Sequence, residues 1–528
     1  MAVSAARRGQ APPIDPGFFA DKGALAWILS LDHKRIAILQ LWAIGAALAV
    51  GTVVGLVLQA EHAWYKTLFL DEGMYARLFT LHGVIMALLV ILPGIPATLG
   101  SFVLPLSIGA RNVAFPRLNL ASFHLWILGA LLVAVSVHQG GAQTGWTFLV
   151  PLSAEAAPAA AYLMLAVLAL ALSAALRAVV LLTTLHALRA EGLTWRRTPP
   201  LAWSLYAHSA VVLVAAPVLA LTMVLLLAER SLGVSLFDAT VGGDPLLFQH
   251  FFWFGAHGCV YSAVLPAIGV ASEIIGTFSV RGLCARRSVL IGIVGLALVS
   301  LLAWGEHMPT SGHALSLATF FALVALLGLV PATHLVGSWL VSLGRGARPD
   351  APLLLALAFV ATFVLGGLAG LLLGVQDVGI HLHATAFVVG HFHLMLGSVV
   401  LATLAGLHYW WPKITGTRYA EGRARVGALT TLAGTLVAFT PLLVVGARGL
   451  PRRVATYPQE HMVLLDVSAG GGVLLAVGLG ILFVNLLVAL REQKRAGDNP
   501  WNAAGLEWSC SSPPPRENFI APPRVVAK

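Results

Sequence analysis

Twelve apolar runs, each bounded by Gly, Pro or charged residues, dominate the chain and leave it few folds to adopt. They fall near 36–58, 77–108, 117–137, 159–186, 203–227, 248–276, 287–306, 314–343, 352–374, 380–408, 424–446 and 463–490. A helix needs about 20 apolar residues to cross the roughly 30 Å hydrocarbon layer of a bilayer, and most of these runs suffice. Backbone groups in that layer must be paired within the segment, and a helix achieves this without neighbours. With 58% of its 528 residues hydrophobic and 10% charged, the chain has more apolar surface than a soluble fold can cover. The expected fold class is an all-α membrane protein: one twelve-helix transmembrane catalytic domain spanning 1–528, with residues 1–30 and 491–528 as cytoplasmic tails.

Basic residues set the expected topology. Arg7, Arg8, Lys34 and Arg35 precede the first run, and Arg111, Arg117, Arg189, Arg196, Arg197, Arg281, Arg286 and Arg287 fall in successive even-numbered loops. Arg345, Arg348, Lys413, Arg418, Arg423, Arg425, Arg491, Lys494 and Arg495 continue the series. By the positive-inside rule these loops and both termini are cytoplasmic, and the start of the chain has no h-region of a cleavable signal peptide. The net charge of +10 is thus topology rather than a nucleic-acid surface, and membrane lipid is the expected surrounding. Cys259, Cys284 and Cys510 are scattered and form neither a disulfide framework nor a CxxC metal site. One loop breaks the charge rule: Gly449-Leu-Pro-Arg452-Arg453 lies on the outer side. Read plainly it is a solvated pair; read functionally it is a clamp for carboxylates, which paired guanidiniums suit.

Inside the tenth run, Phe387-Val-Val-Gly-His-Phe-His-Leu-Met-Leu-Gly397 places His391 and His393 two residues apart. Each helical residue advances about 100°, so the two imidazoles point to nearly opposite sides, one available to each of two cofactors. A single buried histidine is more often a satisfied core residue, but ionisable residues within a membrane are costly and mark function. His82, His257 and His307 join them in the outer half of the expected bilayer, beneath the arginine pair. With Glu306 beside His307 they make six ligand positions, enough for a six-coordinate haem, a five-coordinate haem and a third metal.

These residues sit within a longer series of matching stretches. They include His82-Gly-Val-Ile-Met, Gly109-Ala-Arg-Asn-Val-Ala-Phe-Pro-Arg-Leu-Asn119, Gly145-Trp-Thr147 and Gly242-Gly-Asp-Pro-Leu-Leu-Phe-Gln-His-Phe-Phe-Trp253. Gly390-His-Phe-His393, Tyr409-Trp-Trp-Pro-Lys413, Pro451-Arg-Arg453, Asn499-Pro-Trp501, Leu506-Glu-Trp508 and Ser511-Ser-Pro-Pro-Pro515 follow in order. From about residue 30 to 520 the chain resembles subunit I of the haem-copper oxidoreductase superfamily. The resemblance implies that His82 and His393 are axial ligands of a low-spin haem and His391 the ligand of a high-spin, substrate-binding haem. It implies that His257 binds the non-haem metal, that Arg452 and Arg453 hold haem propionates, and that Trp146 stands near the active-site exit.

The departures from that family carry the expected activity. Where oxygen-reducing members have two adjacent histidines for copper, this chain reads Trp304-Gly-Glu306-His307-Met. A carboxylate is a harder donor than imidazole and favours iron, or a metal with open positions, over copper. The family's His-Pro-Glu-Val-Tyr becomes His257-Gly-Cys-Val-Tyr261, so Cys259 replaces the glutamate that ends the main proton channel. Asn112 and Ser101 replace that channel's Asp and Asn, and Leu335, next to His334, replaces the lysine of the second channel. Apart from Glu273, the expected cytoplasmic half has no acidic side chain within its helices, so proton pumping is not expected. His383-Ala384 replaces a His-Asp pair near an outer magnesium site.

The expected function is the catalytic subunit of a nitric oxide reductase, converting two NO, two electrons and two protons to N2O and water. Its metal, iron or copper, would be held by His257, Glu306 and His307. Tyr261, one turn after His257, favours the alternative, a terminal oxygen reductase with an altered copper site. A second alternative keeps the haems for assembly or gas sensing without turnover. The resemblance also implies a second subunit carrying a CuA centre or haem c as electron donor, in the cytoplasmic membrane of a bacterium or archaeon.

Overall fold

The computed structural model describes residues 17–19, 23–63, 69–155, 158–312, 314–344, 346–521 and 523–525. Arg7, Arg8 and Arg345, used above for topology, lie outside them. Among the described residues the chain is almost wholly helical, with no strand and two isolated β-bridges. The long helices are α1 (His33–Ala63), α2 (Glu72–Ser107), α3 (Pro116–His138), α4 (Pro158–Ala187), α5 (Pro200–Leu232) and α6 (Pro245–Phe278). They continue as α7 (Arg286–Leu302), α8 (Leu315–Leu343), α9 (Ala351–Gly374), α10 (Ala386–Thr415), α11 (Glu421–Ala447) and α12 (Met462–Glu492). Eleven of these are long and apolar enough to cross a membrane; α7, with 17 residues, is the short one.

Local chemistry sets the helix ends. Asp71 caps α2 by accepting from the Met74 amide at 2.8 Å, and Asp244 caps α6 by accepting from Leu246 and Leu247 at 2.9 and 3.2 Å. Pro245 fits the first turn of α6 because no intrahelical partner is needed there. Within α6 the ladder is interrupted at Ser262 and Ala263, directly after Tyr261. Pro266 has no N–H for the Ser262 carbonyl, which instead accepts from Leu265 at 3.0 Å and from the His208 ring at 3.0 Å. Between α11 and α12 the backbones approach at Gly434 and Gly471, where an added Cβ would overlap the facing chain.

Two expected spans differ from the observed ones. The run 287–306 ends as a helix at Leu302, and Trp304–His307 form a separate 3-10 turn. Gly305 lies against the ring of Phe321, which leaves no room for a side chain, and Pro309 cannot donate to a continuing helix. The run 380–408 is divided into a short helix, Gln376–Leu382, and α10, which starts at Ala386 and continues to Thr415. Thr385 caps α10 at Phe387 and bridges to Pro451, which ties the start of α10 to the arginine loop.

Candidate active site

α2, α6, α10 and the turn after α7 converge on one cavity of about 590 Å³. Its walls include His82, His391, His393, Tyr261, Glu306, His307, Trp146, Arg452 and Arg453. Of the expected site residues, only His257 is absent from that wall, and it lies directly behind it against Glu306 and Tyr261.

Three imidazoles are fixed in the tautomer that metal ligation requires. The Nδ1–H of His82 donates to the Gly51 carbonyl at 3.0 Å, that of His391 to Gly366 at 2.9 Å, and that of His393 to Val389 at 2.8 Å. Each Nε2 is thereby left with its lone pair free for a metal, and the ring orientation is set by backbone. His82 and His393 have ring centroids 5.9 Å apart, close to the roughly 6 Å spacing of two imidazoles bound to one ion at about 2.0–2.1 Å. An added Cβ at Gly55 would come within 3.0 Å of His82, and one at Gly370 within 2.9 Å of His391, so both rings occupy cradles that only glycine leaves open. His391 and His393 diverge as the helical advance requires: one ring turns toward α9 and Tyr261, the other toward His82 and Phe439.

The third cluster is the triad His257, Glu306 and His307, whose donor atoms lie within 4.8 Å of one another. Glu306 Oε1 is 3.9 Å from His257 Nε2 and 3.7 Å from His307 Nε2. Two atoms each about 2.1 Å from one ion stand at most about 4.2 Å apart, so both pairs already fit a shared metal. Among the described residues His307 Nε2 has no hydrogen-bond partner, as a ligand nitrogen should. The donor set of two imidazoles and one carboxylate suits iron and admits copper.

Tyr261 stands between the clusters. Its ring is 4.3 Å from that of His257, and its hydroxyl donates to His391 Nε2 at 3.2 Å. That nitrogen is the one that would ligate a haem iron, so Tyr261 lies between the haem-ligand position and the triad, its ring 5.4 Å from that of His307. Trp146 is in the wall, edge-on to Phe252, Trp253 and Phe392.

Arg452 and Arg453, in the loop before α12, also line the cavity. The Arg452 amide donates to Ala384 at 3.0 Å, and an Arg453 N–H donates to the Gln143 carbonyl at 2.9 Å. Burial, and then the adjacent Arg453, hold the Arg452 guanidinium below its ordinary pKa. Two adjacent cations that form no ion pair among the described residues favour an anionic ligand.

The contacts that Trp253 and His383 make with His307 escaped sequence reasoning. Trp253 stacks on His307 with centroids 4.2 Å apart and donates to Gln249 at 3.0 Å. His383 donates from Nε2 to the His307 carbonyl at 2.8 Å, so it holds the ligand turn. Neither pairing has a local sequence signal, because the partners are 54 and 76 residues apart. Asn112 and Ser101 serve structure: Asn112 donates to the Leu31 carbonyl at 3.2 Å, and Ser101 accepts from Arg177 at 2.9 Å. Cys259 and Leu335 are fully buried, His334 bonds Ser288 at 2.8 Å, and Glu273 accepts from the Leu201 amide at 3.3 Å.

Comparison with known proteins agrees with this geometry. The family described as cytochrome c and quinol oxidase polypeptide I matches residues 35–474. Cytochrome c oxidase subunit 1 of Thermostichus vulcanus is 34% identical over 97% of this chain and 95% of its own length. A putative cytochrome c oxidase subunit 1-beta of Streptomyces avermitilis is 36% identical over 94% of this chain and 90% of its own. A solved haem-copper terminal oxidase dimer shares the fold, with a TM-score of 0.75 over 87% of this chain and 84% of that one at 20% identity. Of the activities expected from sequence, oxygen reduction fits these names better than nitric oxide reduction does. A membrane-type helical bundle, the ligand clusters on one cavity and a match across most of the length together place this oxidoreductase in the cytochrome c and quinol oxidase polypeptide I family, the subunit I of haem-copper oxidases.

Proposed function

We propose that the chain is the catalytic subunit of a terminal oxygen reductase with an altered metal site, reducing O2 to water between His391 and the His257–Glu306–His307 triad. The observation that carries this reading is Tyr261, whose ring lies against His257 and whose phenol faces the His391 imidazole, between the two ligand clusters. The names of the relatives support the same reading.

On this reading His82 and His393 hold a low-spin haem, His391 a high-spin haem, and the triad an iron or copper ion. When bound, these groups supply electrons one at a time and a Lewis-acidic pair of sites for the gas. The remaining work belongs to the chain. Tyr261 is positioned to give a proton and an electron to the reacting oxygen. Arg452 and Arg453 neutralise the propionates and fix the register of the rings. Trp253 and His383 keep the His307 turn in place. The apolar wall of Trp146, Phe252 and Phe392 excludes bulk water from the gas path. Electrons come from a partner subunit bearing a copper centre or a haem.

A second reading, nitric oxide reduction, is favoured by one residue. Glu306 puts a carboxylate where the resemblance leads one to expect imidazole, and it is within reach of both histidines as ligand and as proton carrier from the outer face. The deciding experiment is turnover of the purified complex with O2 and with NO, using one reductant and gas-specific electrodes. Fast O2 use with slow NO use supports oxygen reduction. Fast NO use yielding N2O, with slow O2 use, replaces it with the second reading.

A further inference from the structure

Away from the large cavity, α1, α2, α3, α4 and α5 enclose a second space of about 20 Å³ around Arg177. Arg177 is 5% exposed and belongs to α4, ten residues from its end at Ala187. Its Nη1 donates to Ser101 Oγ at 2.9 Å and to Asn119 Oδ1, both neutral acceptors. Among the described residues no carboxylate forms an ion pair with it. A guanidinium stays charged under all ordinary conditions, and an uncompensated charge in a dry, low-dielectric bundle is strongly unfavourable.

The walls of the space carry the missing half of the interaction. Gln40 and Ser209 are fully buried and both line it, and Gln40 Nε2, Gln40 Oε1 and Ser209 Oγ have no hydrogen-bond partner among the described residues. His208, also in the wall, already donates its Nδ1–H to Ser262. Two unused donors thus face the same space as an unpaired cation.

We propose that this space is a binding site for one small monovalent anion of halide size, held by Arg177, Gln40 and Ser209. A space of this size admits one water-sized particle, which excludes carboxylates and oxyanions such as phosphate. A water would satisfy the donors and leave the charge uncompensated; a halide does both. Apart from Ser173 and His208, whose Oγ–H and Nδ1–H donate to the Ser122 and Ser262 carbonyls, the remaining wall, Leu88, Leu92, Trp126 and Leu170 among it, is apolar and suits a weakly hydrated ion.

Bromide is the probe. Crystals of the whole complex grown in chloride and transferred to bromide are expected to show an anomalous peak beside Arg177, within hydrogen-bond reach of Gln40 and Ser209. A spherical density without anomalous signal at that point is a water and overturns the proposal. In solution, the complex is expected to unfold at higher temperature in chloride than in gluconate of equal ionic strength, and Arg177→Gln removes the difference. An undiminished chloride effect in Arg177→Gln overturns the assignment. If that variant fails to assemble, the double variant Gln40→Leu, Ser209→Ala keeps the charge and removes two donors. Its bromide occupancy is expected to fall severalfold, and unchanged occupancy overturns the donor set.

Discussion

Glu306 Oε1 lies 3.9 Å from His257 Nε2, so a carboxylate from the turn after α7 and an imidazole from α6 share one point in space. Removing the carboxylate leaves two imidazoles, too few to hold a metal firmly in an otherwise apolar pocket. Glu306→Ala is expected to lower the non-haem metal content well below one per chain while both haem spectra persist. Glu306→His restores a third donor of softer character and is expected to retain metal, shift its preference toward copper and raise the ratio of O2 to NO turnover. Wild-type metal content and turnover in both variants would remove Glu306 from the ligand set.

Tyr261 separates the two gas chemistries. Reduction of O2 to water needs a positioned proton and electron donor during O–O cleavage, and coupling of two NO molecules does not. Loss of a positioned proton donor typically costs about 10²–10⁴-fold in rate. Tyr261→Phe is therefore expected to lower O2 turnover by at least ~10²-fold, with NO turnover within a fewfold of wild type. Phenylalanine keeps the ring contact with His257, so the haem spectra serve as the control for folding. O2 turnover that survives unchanged would make Tyr261 a hydrogen-bonding residue only.

Much of this site was legible in the sequence, and the reasons differ by residue. The opposite directions of His391 and His393 follow from helical geometry alone, and both rings turn where the 100° advance sends them. Glu306 was legible as a ligand position from its place beside His307, but its departure from the family pattern only through the resemblance, since a one-turn 3-10 element has no periodicity to read. The start of α10 was misplaced by six residues because no Gly, Pro or charged residue separates it from the short helix Gln376–Leu382; the break is made by a long-range bridge from Thr385 to Pro451. Trp253 on His307 and His383 beneath the same turn are tertiary contacts without a local pattern. Arg177 is absent from the sequence reading because no motif surrounds it, although a basic residue inside an apolar run is itself a signal.

That arginine also bears on proton movement. Ser101, in the slot where the resemblance puts a channel residue, has its oxygen engaged by the Arg177 guanidinium. Cys259 and Leu335 offer no proton-carrying group near neutral pH, and Asn112 is tied to Leu31. The complex in sealed vesicles is therefore expected to consume protons during turnover without ejecting any, measured with a pH dye on the outside in the presence of valinomycin. Stoichiometric acidification of the outer medium, abolished by an uncoupler, would show a working channel and contradict this.

A last prediction concerns the C-terminal segment, where the 3-10 turn Leu506–Ser509 packs against α10 through Trp508 and Tyr409. Glu507 is 4% exposed, and burial pushes its carboxyl above the ordinary value, while Lys413 pulls in the opposite direction and only partly offsets it. In the unfolded chain the same group ionises near pH ~4.3. Between that point and its folded value the native state holds a proton that the unfolded state has lost, so stability falls as pH rises through this window. The Glu507 contribution is thus most favourable in acid and is lost once the carboxyl ionises within the fold. Glu507→Gln keeps the size and removes the charge. Thermal unfolding followed from acid to neutral pH is expected to show the variant matching wild type in acid and exceeding it at neutral pH. A variant less stable than wild type at neutral pH would mean that the ionised carboxylate gains more from Lys413 than it loses by burial.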